Sequence, residues 1–155
     1  MSIKSLLLVF VGFSSLSATA QVGQKIAECV AVLGKPAKEF NAESPPTKIF
    51  INEKIQAQIA FENGVASAGV YHVAELRNWA KQPISDEQLK IIYRWNGITA
   101  EDLVAANFKG LPELDGLYKK TKDGKMLILH DKKKNMISVT DFQAFLRYLD
   151  NLDKP

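Results

Sequence analysis

An α+β fold is predicted for this 155-residue chain by three observations. Apolar stripes of helical period occur near residues 26–33, 85–95 and 142–149. Other stretches, led by "KIQAQIAFE", alternate with a period of two. These alternating stretches are grouped around Asn63-Gly64 and Asp123-Gly124, strong hairpin turns, instead of being separated singly by helices. Grouped strands with helices set apart argue for antiparallel meanders and against a parallel α/β sheet. The expected order is an N-terminal helix plus a three-stranded antiparallel meander, then two short helices, a second three-stranded meander and a C-terminal helix. The two halves then read as a tandem repeat in structure, without repeated residue identities.

The first twenty residues, "MSIKSLLLVFVGFSSLSATA", are set apart from that fold. Lys4 supplies positive charge, Leu6 to Phe13 form an apolar run, and Ala18-Thr19-Ala20 supplies small residues for cleavage. This is the pattern of a secretory signal peptide, too short in its apolar part to span a bilayer. Residues 1–20 are expected to be a leader cleaved after Ala20, and the product to be secreted or periplasmic. Residues 21–155 are expected to form a single α+β domain, with sub-lobes at 21–76 and 84–155. Taking 20 residues from 155 leaves 135, enough for an ordinary core. A single cysteine allows no internal disulfide, so that core relies on packing alone. The formal charge of +3 falls to +2 without Lys4, too weak a balance for nucleic-acid binding. No second apolar stretch is long enough for a membrane span.

Along the remaining chain, Ile26, Cys29, Val30 and Leu33 share one helix face, and Gly34 and Pro36 stop the helix. Residues 41–47 read as a loop because of Pro45 and Pro46. "KIFIN", "KIQAQIAFE" and "VASAGVYHV" read as the first meander. A two-residue Asn63-Gly64 turn places Ala66, Ala68, Val70 and His72 on the face of Phe61, Ile59, Ala57 and Ile55. Ser85 and Gln88 form a capping box for the next helix, with Ile84 and Leu89 as a hydrophobic staple. Thr99 is expected to open a second short helix, "AEDLVAAN". The second meander spans residues 116–141, and Thr140 with Gln143 is expected to cap a final helix striped by Phe142, Phe145, Leu146 and Leu149.

The chemistry-bearing residues are few. Cys29 lies on an apolar helix stripe several residues from the helix start, so it is expected to be buried and inert. Glu28 and Lys25 just before it speak against lipidation. His72 and His130 are the only histidines, and neither has a second ligand at helical or strand spacing, so no metal site is expected. A Cys29–His72 or Cys29–His130 dyad is the thiol-enzyme alternative. No phosphate loop, nucleophile elbow, zinc helix or Ca²⁺ loop is present, and no cofactor is expected. Lys132, Lys133 and Lys134, with Lys119, Lys120, Lys122 and Lys125, make residues 119–134 the most basic stretch. These lysines read first as a solvated hairpin that protects sheet edges, and second as a weak contact for an anionic surface. Trp79 and Trp95 read as packing residues.

Residues 23–36, "GQKIAECVAVLGKP", resemble the G-x-T-x-x-x-V-x-x-x-L-G-x-P helix that opens small periplasmic domains of the SmpA/OmlA type. That superfamily includes the lipoprotein subunit of the outer-membrane β-barrel assembly machinery and the β-lactamase inhibitor protein. Gly23, Leu33, Gly34 and Pro36 fall on the pattern, Cys29 stands where the family usually has valine, and the likeness covers mainly residues 22–73. The resemblance implies a helix-and-meander fold and a function in binding other proteins. Together these readings lead to an exported small non-enzymatic protein that binds another envelope protein or polymer. The alternatives are a thiol-dependent hydrolase using Cys29 with a histidine, and an inhibitor of an exported enzyme.

Overall fold

A computed structural model describes residues 22–74, 82–109, 114 and 116–152. The leader at 1–20 and Trp79 therefore lie outside the described residues.

The first helix, α1 (Ile26–Leu33), follows its stripe: Cys29 and Leu33 are buried, and the amide of Gly34 donates to the Val30 carbonyl at 2.9 Å. Gly34 has φ of 87°, a left-handed backbone that glycine adopts without a Cβ clash. Four strands follow: β1 (Lys38–Phe40), β2 (Thr47–Asn52), β3 (Ile55–Glu62) and β4 (Val65–Val73). The helix α2 (Asp86–Trp95) starts at the capping box read from sequence. Ser85 Oγ accepts from the Gln88 amide at 3.2 Å, and Gln88 Oε1 accepts from the Ser85 amide at 3.1 Å. Then come β5 (Leu103–Ala105), β6 (Tyr118–Thr121), β7 (Met126–Asp131), β8 (Met136–Asp141) and α3 (Phe142–Leu152).

All strands join one eight-stranded antiparallel sheet in the order β1-β2-β3-β4-β8-β7-β6-β5. This corrects the expected pair of three-stranded meanders. Each half holds four strands, and β4 pairs with β8 to fuse the halves into a continuous sheet. The extra strand in the first half, β1, is too short and polar to show alternation. It is held by its neighbour: Glu39 stands opposite Lys48, and their side chains pair at 3.0 Å. The extra strand in the second half, β5, replaces most of the expected second short helix. After Thr99 only a 3-10 turn forms (Ala100–Asp102), because Leu103–Ala105 pairs with β6 instead. That pairing with a strand fifteen residues away outweighs the short helical pattern.

Two further expectations change. The cap of α3 is Asp141, whose Oδ1 accepts from the Ala144 amide at 2.8 Å, so the helix begins one residue later than a Thr140 cap implies. The β3–β4 register also shifts. The two-residue turn forms, with Asn63 and Gly64 at φ of 52° and 78°, and Phe61 faces Ala66 as expected. Beyond it, Ala60 pairs with Ala68, leaving Ser67 as a bulge. The bulge moves Gly69, Tyr71 and Val73 onto the face of Ile59, Ala57 and Ile55, and sends Ala68, Val70 and His72 to the other side.

The sheet's inner face, under α1 and α2, holds the main core. Phe50, Ile55, Ile59, Tyr71, Ile137 and Val139 meet Cys29, Leu33, Ile92 and Trp95 there. Each large side chain fully removed from water contributes about 1.5–3 kcal/mol. Tyr71 occupies the centre. Its ring lies over Gly69, where an added Cβ would collide with the phenol, and its hydroxyl meets the buried Asn96 amide at 3.3 Å. Asn96 Nδ2 also donates to the Ile92 carbonyl at 2.8 Å, so both buried polar groups are partnered. Trp95 packs against Tyr71 with centroids 6.5 Å apart.

Candidate functional site

The outer face of the sheet is covered over only part of its width. Residue 127 and residue 128 point to opposite sides of β7, and they belong to different clusters: Ile128 to the inner core, Leu127 to a second cluster with Ala106 and Phe108. The helix α3 packs on β7 and β8 and closes this second cluster with Phe142, Phe145 and Leu149. Phe108 meets Phe145 and Tyr118 at centroid distances of 5.6 and 5.8 Å. The expected stripe of α3 thus finds its partner on the side away from α1.

Among the described residues, no helix packs in the same way over the outer face of β2, β3 and β4. Cross-strand pairing puts Ile49 beside Gln58, Gln58 beside Val70, and Gln56 beside both Ile51 and His72. Ile49, Val70 and His72 are half-buried, Gln58 is exposed, and Ile51 keeps 46% of its surface in water. These residues form a patch of aliphatic and amide side chains with one imidazole and no carboxylate, a surface suited to apolar and hydrogen-bonding contact. At one end it meets a groove of about 320 Å³ between the β3–β4 turn and α3, lined by Ser67, Asp141 and the Glu62–Arg147 ion pair (3.8 Å). The full patch is not legible in the sequence, because a two-residue Asn63-Gly64 turn without the Ser67 bulge places Val70 inward. The signal was "IFI" at 49–51, apolar on both sides of one strand, which demands cover on both faces or leaves one exposed.

The candidate thiol stands apart from this surface. Cys29 is fully buried, and desolvation, aided by the neighbouring Glu28 carboxylate, pushes its thiol up to about 12. At neutral pH it is a protonated, hydrophobic filler. Its ionisable neighbour in the core is Tyr71, whose hydroxyl is itself raised, mainly by burial. His72 projects from the opposite face of the sheet. His130 lies on β7, where burial and then Lys132 hold its imidazole below the ordinary range. His72 is thus separated from Cys29 by the sheet, and the neighbours that shift the Cys29 thiol and the His130 imidazole do not include one another.

The carboxylates that stand out electrostatically serve turns. Asp102 is lowered first by the Thr99 hydroxyl, 2.6 Å away, and Asp123 first by the Thr121 hydroxyl. Asp102 and Asp123 line a cleft of about 270 Å³ with Lys122 and Met126. Among the described residues, no three His, Cys, Asp or Glu side chains converge in a way that could hold a metal ion. No helix among them is long and apolar enough to cross a membrane.

No protein-family profile matches the chain, and no curated protein matches it in sequence. Among solved structures, the chain is similar to a cysteine-rich secretory protein from Staphylococcus aureus at 10% identity and a TM-score of 0.40. The match covers 80% of this chain and 46% of that one, so the chain spans less than half of that protein's length.

Proposed function

We propose that this chain is an exported, non-catalytic binding protein whose ligand is another envelope protein or polymer. One observation carries the reading: the outer face of β2–β4 presents Ile51 and Gln58 to solvent around a half-buried Val70, beside an equivalent half-face that α3 covers. A sheet face with aliphatic and amide groups and no carboxylate supports adhesion to a partner surface. The signal-like residues 1–20 support export. Burial of Cys29, with its thiol raised to about 12 and His72 on the opposite face of the sheet, weighs against the thiol-hydrolase alternative. Inhibition of an exported enzyme is one form this binding can take, differing only in the partner.

A photo-crosslinking residue at position 51, compared with one at Lys90 on the exposed side of α2, tests the reading in cells. Specific adducts at 51 that vanish with Val70→Lys are expected. The same adducts at both positions, or none at 51, would overturn it.

A further inference from the structure

We infer that the end of the sheet built from the 132–135 turn and the start of β6 is a contact surface for anionic phospholipid membranes. Charge is strongly segregated along this chain. Residues 118–136 carry seven lysines against Asp123 and Asp131, a balance of +5, while the whole chain carries 20 basic and 17 acidic residues. The remainder is therefore −2 (13 basic, 15 acidic). Within residues 118–136, Lys122, Asp123 and Lys125 lie in the β6–β7 turn at the far end of β7, while Lys119, Lys132, Lys133 and Lys134 gather with Asp131 at the end proposed here, a local balance of +3 (4 − 1).

The acid at this end, Asp131, and the one at the far turn, Asp123, are each already engaged. Asp131 Oδ1 accepts from the amides of Lys133 and Lys134 at 3.0 Å each, and Oδ2 lies 3.6 Å from Lys134 Nζ. Asp123 accepts from the Lys125 amide and lies 3.9 Å from Lys125 Nζ. Lys119, Lys132 and Lys133 are exposed, and both Lys132 and Lys119 act on His130, so their fields converge at this end of β7.

An apolar side chain stands among these cations. Tyr118 pairs with Leu129, which puts Leu117 alongside His130 at the foot of the 132–135 turn. Leu117 is 57% exposed although Leu127 and Ile128 nearby are buried. Exposed lysines around a protruding leucine suit the boundary of headgroup and acyl chain, where charge attracts and the apolar group inserts. Nucleic acid fits less well: the edge has no arginine, Tyr118 packs in the cluster under α3, and the His130 ring is half-buried.

The test is co-sedimentation of the full chain with phosphatidylcholine vesicles with and without phosphatidylglycerol. All variants share residues 1–20, so the ratio between variants is the readout. Lys132→Gln with Lys133→Gln and Lys134→Gln is expected to weaken partitioning onto anionic vesicles on the order of a hundredfold, at about 1 kcal/mol per lysine. The matching triple Lys→Arg variant is expected to retain it. Leu117→Ala is expected to weaken it about tenfold. Thermal midpoints of the variants report that folding is intact. Equal partitioning onto both vesicle types, or an unaffected triple Lys→Gln variant, overturns the inference. So does loss of binding to soluble polyphosphate in parallel with an unaffected Leu117→Ala, which assigns the edge to a polyanion instead of a membrane.

Discussion

In the first half of the sheet, β2–β4 bury Phe50, Ile59 and Tyr71 on the inner face and leave Ile51 and Gln58 in solvent on the outer one. In the second half, β7 and β8 bury Ile128, Ile137 and Val139 on the same inner face, and also place Leu127 beneath α3. The difference comes from where the chain goes after each half's last strand. After β4 the next described helix, α2, joins the inner core; after β8 the chain turns at Asp141 into α3 on the outer side. Among the described residues, one half is therefore packed on both faces and the other on one. Two halves with the same strand pattern thus differ in how much of their outer face the described helices cover, because only the second ends in a helix on that side.

Changes placed in the shared centre, the sealed half and the open half should separate these roles, with effects falling in that order. Tyr71→Ala removes the side chain at the centre and leaves Asn96 without its hydroxyl partner. It should cost about 4 kcal/mol and lower the urea midpoint of the whole sheet. Phe145→Ala should cost about 2 kcal/mol, because its ring is half-buried, and should speed amide exchange in β6 and β7 more than in β2 and β3. Asp141→Ala removes the α3 cap, for about 1 kcal/mol, with the Ala144 amide losing protection first.

A pH titration sharpens the comparison within the sealed half. The Thr121 hydroxyl and then the Lys125 amide hold the Asp123 carboxyl below the ordinary carboxylate range. Its contribution is present above the unfolded pKa, about 3.9, and is lost as pH falls through the lower native value. The Lys125 amide resonance should follow that titration, and Asp123→Asn should abolish it. The smallest stability effect belongs to the open half. Ile51→Lys should change stability by no more than about 0.5 kcal/mol while abolishing crosslinking from position 51's neighbours. A large loss of stability there would mean that the outer face of β2–β4 is structural cover.

Much of the local structure was legible in single residues. The stripe of α1, the Ser85–Gln88 box, and the hairpin turns at Asn63-Gly64 and Asp123-Gly124 each involve neighbours within a few positions, and each forms. The turn between β2 and β3 was not legible. It uses Glu53 and Lys54 at φ of 48° and 59°, residues with no turn signature, held between strongly alternating strands. The candidate surface was half legible: Ile49 and Ile51 could be read as opposite in side to Phe50, but Val70 and His72 could not be placed without the bulge at Ser67.

By itself, the sequence determined α1, α2 and the stripe of α3, the turns at Asn63-Gly64 and Asp123-Gly124, and the hydrophobic role of Cys29, because each depends on periodicity or backbone preference over one or two turns of chain. Only the tertiary structure decided that β4 and β8 fuse two meanders into one sheet, that β1 and β5 join as edge strands, and that α3 covers one outer half-face. These choices depend on pairing and packing between residues far apart in sequence. There a single bulged residue reverses which side chains meet the core, and no local pattern carries that information.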